Sequence, residues 1–226
     1  MKLKLQLSIK RLADVLIAGI GLAVAAPLFL VIAVLVRLES PGVVIFRQLR
    51  SGRNRHSFYM YKFRTMYDGV PHLRNSDGSA FVGRNDARVT RLGRWLREFS
   101  LDEIPQLFNV LRGEMSIVGP RPETPEYTDE LPEWALEKLQ LRPGCLSMSL
   151  IYGRNELPWQ TRNELDLHYV RNYSLLLDLK IFFRGIWAML VTRRGVYSPG
   201  KAHVAAFGDR AKGAASTAGY QTFTKE

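Results

Sequence analysis

One cysteine, Cys145, stands in a chain of 226 residues, so no disulfide can form within it. The cross-linked frame of a small secreted domain is excluded, and a reducing compartment fits. Histidine is scarce too, with four in all, and no Cys or His residues have the spacing that grips zinc. A Walker loop, a Gly-x-Ser-x-Gly elbow and internal repeats are also missing. Acids are in deficit: 21 Asp and Glu against 32 Lys and Arg give a formal charge of +11. Residues 1–64 hold eleven bases and two acids, whereas residues 101–137 hold nine acids and two bases. A basic front beside an apolar segment suits anionic lipid or phosphate; by charge alone a nucleic-acid-binding module looks the same.

Charge is absent altogether from Val15 to Val36, a run of 22 residues. That length would cross a bilayer, and a soluble core helix is seldom apolar on every side for so long. A nucleic-acid-binding module leaves the run unexplained. Lys2, Lys4, Lys10 and Arg11 before it, with Ala23-Val24-Ala25 inside it, imitate a signal peptide. Cleavage there, however, would leave nine apolar residues after Pro27 as a sticky mature end. Both flanks are basic, Lys2–Arg11 and Arg37–Arg55, and positive residues prefer the cytoplasmic side. Pro27 removes a helical hydrogen bond in mid-run and clashes with the preceding turn. The expectation is a re-entrant helix that bends at Pro27 and leaves on the side it entered.

Ser40–Phe46 reads as a turn and a short strand, Ser57–Phe63 as its partner, and Arg47–Arg55 as the loop between them. Residues 68–86, rich in Gly, Asn and Asp, read as a loop. Val89, Leu92, Trp95, Leu96 and Phe99 have helical spacing. A second helix follows Asp102 and Glu103 and ends at Gly113; "MSIVG" is a short strand and "RPG" a turn. Arg162–Thr192 reads as one or two helices. Asp178, Lys180 and Arg184 keep its apolar part from spanning a bilayer, so it is core or interfacial, core being the commoner case. The fold class is α+β: a mainly helical membrane-associated domain with a small β element. Residues 1–38 form the membrane helix and its basic flank, 39–195 the domain on the cytoplasmic face, and 196–226 a poorly ordered tail.

"SLDEIPQLFNVLRG" places two adjacent acids, Asp102 and Glu103, just before a proline at a helix start. Asp is a preferred cap, and Ser100 with Glu103 fits the S-x-x-E capping box. The same position also suits chemistry. A helix N-terminus attracts phosphate and keeps a carboxylate ionised, as a nucleophile must be. A neighbouring Glu can hold Mg²⁺. Lys62, Arg64, Arg97 and Arg121 are of the type that binds a diphosphate. Spacing alone leaves both readings open.

"KRLAD", "SPG", "FRQLRSG", "YKFRTM", "LREFSLDEIPQLFNVLRGEMSIVGPRP", "RPG", "GRN" and "LDLHYVRNYSLLLDLKI" follow in that order. Together they resemble the bacterial sugar transferases known as monotopic phosphoglycosyl transferases, over residues 8–195 and in their short, minimal form. The resemblance implies a re-entrant helix at the cytoplasmic face of the inner membrane. It implies transfer of a sugar-1-phosphate from a nucleotide diphosphate sugar, usually a UDP-sugar, to polyprenyl (undecaprenyl) phosphate, with UMP released, as the first step of surface-glycan assembly. By the same carry-over Asp102 attacks the β-phosphate to form a phosphosugar intermediate, and Glu103 helps hold Mg²⁺. Lys62, Arg64 and Arg97 contact phosphates, Pro120-Arg121-Pro122 lies near the nucleotide, and Asp166 joins Asp102 and Glu103 around the metal. No nucleic-acid partner is implied, and self-association into a homo-oligomer is left open. The family usually continues after "RPG" with a Gly-Trp stretch such as "ITGWAQV", whereas this chain reads "CLSMSLIYGRN" from Cys145 to Asn155. That departure supports the rival reading, a non-catalytic membrane-anchored assembly partner with a degenerate site; the intact acid pair opposes it.

Overall fold

A charge-free run of 22 residues leaves the backbone no better hydrogen-bond partner than itself. The chain from Lys2 to Glu39 accordingly forms one helix, α1, in the computed structural model, which describes residues 2–71, 73, 83 and 85–192. The helix continues through Pro27, and its 38 residues would reach about 57 Å at the standard rise if straight. Only a narrow stripe of it is buried. Ala18, Ile32 and Val36 pack against the rest of the chain, while Ile20, Val24, Leu30 and Val31 are exposed. An apolar helix that shows most of its apolar surface is built for lipid.

Polar ties clasp both flanks of this helix to the same body. On the N-terminal side the buried Asp14 carboxylate accepts from the Ser116 hydroxyl at 2.7 Å and the Ile117 N–H at 2.9 Å. Arg11 donates to the Val110 and Leu111 carbonyls, and Lys10 pairs with Asp178 at 2.9 Å. On the other side the buried Arg64 guanidinium donates to the carbonyls of Val36, Ser40 and Pro41. It thereby serves the orphan acceptors of the α1 C-terminus. Gly42 is required beside it: its φ is +118°, and a Cβ there would lie 2.1 Å from Arg64 Nη1.

Strand β1 (Ile45–Ser51) pairs antiparallel with β2 (Ser57–Phe63), from Ile45 opposite Phe63 to Ser51 opposite Ser57. The first strand therefore lies later than the expected Ser40–Phe46, and the connection shrinks to Gly52–His56. The Ser40–Gly42 turn is held by Arg64, so pairing can begin only beyond it. The arginines are tolerated in the strand because its faces alternate; Arg47 stacks on Tyr61, 5.8 Å from the ring centre.

Helix α2 (Arg91–Glu98) is capped by Thr90, whose side chain accepts from the Gly93 N–H. A single 3₁₀ turn, Leu101–Glu103, leads to α3 (Gln106–Arg112), which ends on Gly113 in the left-handed region. Strands β3 (Ser116–Val118) and β4 (Gly144–Leu146) pair in parallel. The short helices α4 (Pro125–Asp129) and α5 (Glu133–Leu136) lie between them in sequence. So the "RPG" turn opens a strand. That strand passes so close to β3 that a Cβ on Gly144 would sit 2.0 Å from the Gly119 nitrogen. Helices α6 (Met148–Tyr152), α7 (Trp159–Arg171) and α8 (Leu175–Trp187) complete the body. A π-helical turn, Ala188–Thr192, ends the described chain.

Two apolar cores result, and α1 belongs to both. Ala18 joins Met60, Val110, Met115, Ile117, Leu146, Tyr169 and Ile181, whereas Ile32 and Val36 join Phe63 and Leu96. Each fully buried aliphatic side chain contributes about 1.5–3 kcal/mol. Helix α8 buries Ile181 and Gly185 but exposes Leu176, Leu179, Phe183 and Trp187. That corrects the core reading of this stretch: it is core on one side and apolar surface on the other. The expected tail, 196–226, and most of the loop at 68–86 lie outside the described residues.

Arg64→Ala should lower stability by about 2 kcal/mol or more, since it strands the carbonyls at the end of α1. Thermal melting in detergent would measure this. A melting point equal to the parent's would show that water serves those carbonyls as well as the guanidinium does.

Candidate active site

The acid pair sits one turn ahead of α3 and caps nothing. Ser100 is in the left-handed region (φ 55°, ψ 23°) and makes no side-chain cap, and Pro105 makes none for α3. The expected capping box is therefore not formed. Proline has no N–H to offer and takes the position before the first helical residue, which pushes Asp102 a turn upstream. The Ser100 hydroxyl is engaged elsewhere, accepting from Arg154 Nη1 at 3.0 Å.

Cations from four separate segments meet this turn. Lys62, near the end of β2, pairs with Glu103 Oε1 at 2.8 Å, and Arg154 Nη2 lies 3.9 Å from Glu103 Oε2. Arg97, in the last turn of α2, is anchored by Nε to the Thr65 hydroxyl at 2.8 Å, close enough to favour the charged form of Asp102. Arg121 is likewise close enough to help keep Glu103 ionised. The two acids are thus driven apart. Burial raises the pKa of Asp102, and the neighbouring Glu103 charge adds to that, with Lys62 and Arg97 opposing. Burial acts the same way on Glu103, but Lys62 and Arg154 outweigh it and hold its pKa below the ordinary value. Glu103 is the fixed anion of the pair, and Asp102 is the buried carboxylate with charge to spare for an electrophile.

The Pro120-Arg121-Pro122 segment is held by backbone groups. Pro120 O accepts from the Gly144 N–H at 2.9 Å, Pro122 O from Arg50 Nη1 at 3.1 Å, and the Arg121 N–H donates to Asp166 Oδ2 at 2.8 Å. Beneath it the fully buried Lys138 pairs with Glu123 at 3.1 Å and donates to Asn163 Oδ1.

Of the residues expected at the site, Lys62, Arg97, Asp102, Glu103 and Arg121 come together. Arg64 does not: its guanidinium is spent on the α1 carbonyls, which corrects its assignment to a substrate phosphate. Asp166 also departs from its expected role. It is buried and tied to the Arg121 backbone, its pKa is pushed up to about 6 by burial, and it joins no metal-type cluster with the acid pair. Among the described residues no three His, Cys, Asp or Glu side chains converge. Two adjacent carboxylates nonetheless suit Mg²⁺, which commonly takes one or two from protein and fills its shell with substrate phosphate and water. Pro27 lies within α1, in the apolar run. Two arginines were missed. Arg154 is buried at φ 51°, and its only sequence signal is "GRN". Arg50, whose pKa falls to about 10 on burial, lies three residues from Arg47 and so on the opposite face of β1.

The bacterial sugar transferase family model matches residues 5–192. The chain belongs to that family. It is 40% identical over 202 residues to an undecaprenyl-phosphate glucose phosphotransferase of Komagataeibacter xylinus, covering 84% of this chain and 36% of that protein. The exopolysaccharide production protein ExoY of Sinorhizobium fredii is 40% identical over 195 residues, 81% of this chain and 86% of that one. A UDP-N-acetylgalactosamine-undecaprenyl-phosphate N-acetylgalactosaminephosphotransferase of Aeromonas hydrophila is 39% identical over 191 residues, 80% and 44% of the two chains. The chain thus spans 36% and 44% of the first and third of these relatives, and most of the second.

The split of the acid pair has a thermodynamic signature of definite sign. A raised Asp102 pKa means that the ionised carboxylate weakens the fold above that pKa, and that protonation relieves the cost as pH falls. Asp102→Asn should melt no lower than the parent at about pH 8, and any gain should shrink toward about pH 5. Glu103→Gln should instead lose stability at neutral pH because Lys62 and Arg154 keep their charges without a partner, and that loss should persist down to about pH 5. Melting curves of both variants across that range decide it, and a stable Glu103→Gln at neutral pH would contradict the assignment.

Proposed function

We propose that this chain transfers a sugar-1-phosphate from a UDP-sugar to undecaprenyl phosphate, releasing UMP, and so starts assembly of a surface polysaccharide. The observation that carries the reading is Asp102: a buried carboxylate beside an acid already neutralised by Lys62 and Arg154, with Arg97 and Arg121 at hand. The names of the relatives supply the class of donor and acceptor, and their different sugars leave the sugar to experiment.

The Asp102 carboxylate oxygen attacks the phosphorus that bears the sugar. The bond from that phosphorus to the bridging oxygen breaks, and the electron pair leaves with UMP. An undecaprenyl phosphate oxygen then attacks the same phosphorus, regenerating the carboxylate and forming the lipid diphosphate sugar. Each step exchanges one P–O bond for another, so no net proton transfer is needed. The task of the protein is placement and charge stabilisation. Lys62, Arg97 and Arg121 face the diphosphate, while the Pro120–Pro122 segment lies beside the nucleotide. Mg²⁺, held by Glu103 and Asp102, would offset the repulsion between carboxylate and phosphate.

The same reading places the chain on the cytoplasmic face as a monotopic protein. A spanning helix would carry Asp14 and Glu39 to opposite surfaces, yet one body clasps both flanks, through Asp14 and through Arg64 and Glu39. The exposed apolar face of α8 lies at the same interface, with Lys180 and Arg184 toward the headgroups. Beyond the altered stretch Cys145–Ile151 the chain still delivers Arg154 to the acid pair, which weighs against a degenerate site.

A panel of UDP-sugars with undecaprenyl phosphate and Mg²⁺ should yield UMP with at least one donor, and no release from any would sink the proposal. Without lipid acceptor the enzyme should release about one UMP per site and gain a sugar-phosphate adduct at Asp102. Asp102→Asn should abolish both. Lys62→Ala and Arg121→Ala should each reduce turnover by about ten- to thousandfold, as for lost charge-assisted contacts to phosphate. For topology, tags at both termini should react only from the cytoplasm; labelling of the N-terminus from outside intact cells would favour a spanning helix.

A further inference from the structure

The chain just beyond α6, Gly153-Arg154-Asn155, delivers one side chain to the acid pair. Gly153 (φ 146°) and Arg154 (φ 51°) turn the chain so that Arg154 is buried against the Leu101–Glu103 turn. Its two terminal nitrogens divide their work. Nη1 donates to the Ser100 hydroxyl at 3.0 Å, and Nη2 lies 3.9 Å from Glu103 Oε2. Two non-glycine residues in the left-handed region therefore face each other across one buried hydrogen bond, immediately beside Asp102.

We propose that Arg154 is a positioning residue for Asp102, acting through the Ser100 hydroxyl to hold the left-handed turn on which the acid pair is mounted. This rests on Asp102 being the nucleophile. The lever is the backbone of Ser100. Its N–H donates to the Arg97 carbonyl at 3.1 Å, and its carbonyl accepts from the Glu103 N–H at 3.2 Å. A change in its φ and ψ would swing Asp102 relative to Arg97 and Lys62. An L-residue left to itself avoids this region because its Cβ crowds the following carbonyl, so the conformation has to be held from outside. The Arg154 guanidinium holds it, and its rigid fork reaches the adjacent Glu103 at the same time. Strained backbone beside a reacting group, fixed by a distant side chain, keeps the carboxylate aimed before substrate arrives.

The test separates positioning from folding by removing the hydroxyl while easing the strain. Ser100→Gly accepts positive φ without penalty, which offsets the hydrogen bond lost to Arg154, so its melting point should stay close to the parent's. Its kcat should nevertheless fall about tenfold or more, with the donor KM within about threefold, because the turn is no longer held. Arg154→Ala should show the same split, and the double variant should be no slower than the slower single one. Arg154→Lys, with one ammonium in place of a fork, should not restore kcat. The donor is whichever UDP-sugar the parent turns over with undecaprenyl phosphate. A Ser100→Gly enzyme with parental kcat overturns the proposal, as do losses that multiply in the double variant, which would mean that Arg154 acts through Glu103 alone. Should Arg154→Ala fail to fold, Ser100→Gly and Arg154→Lys decide. A parent that releases no stoichiometric UMP without acceptor would instead refute the nucleophile, a separate result from the kcat comparison.

Discussion

Asp14 and Arg64 tie the two flanks of an apolar helix to one body of protein, and the placement of the site follows from those ties. Asp14 binds the Ser116 hydroxyl and the Ile117 N–H, which fixes β3 beneath the N-terminal part of α1. Arg64 binds the last carbonyls of α1, which fixes the end of β2 beneath the other part. Between these anchors Val110 of α3 packs into the first core and Leu96 of α2 into the second. The turn that carries Asp102 and Glu103 joins those two helices. A domain anchored this way keeps its acid pair in a constant relation to the exposed apolar face of α1.

Within the site one electrostatic choice organises the rest. Two adjacent carboxylates, Asp102 buried and Glu103 half-buried, cannot both be ionised cheaply. Lys62 and Arg154 settle the competition in favour of Glu103, and they approach from β2 and from the chain beyond α6. For Asp102 burial prevails and lifts its pKa, although Lys62 and Arg97 both oppose it. The intrinsic basicity of a carboxylate, which sets its nucleophilicity, rises with that pKa. Glu103 supplies the standing negative charge.

The floor under the Pro120–Pro122 segment follows a similar logic with different residues. Lys138 is fully buried and survives there because Glu123 and Asn163 satisfy it. Asp166 occupies the same floor and takes the Arg121 N–H. Its place is structural support for a segment rich in proline, which has few N–H groups with which to support itself. The stretch after β4 forms a short helix, α6, capped by Ser147, and the chain beyond it brings Arg154 to the acid pair.

Some of this was legible in the sequence. The charge-free run gave α1, the alternation in Ser57–Phe63 gave β2, and the helical spacing of Val89 to Phe99 gave α2, because period and length are local properties. The resemblance carried by "SLDEIPQLFNVLRGEMSIVGPRP" named the acid pair. Local rules could not sort the cations. Lys62 and Arg64 lie two residues apart, yet one reaches Glu103 and the other the α1 carbonyls, because β2 ends at Phe63 between them. Nor could they tell whether the capping box forms, since Ser100 with Glu103 fits it until the partner of Ser100 is known. That partner, Arg154, is far away in sequence. The sequence by itself determined the long apolar helix, many of the element types and the family. Only the tertiary structure decided which charges are paired, which are buried and which are left for chemistry, because pairing depends on distances that chain topology sets.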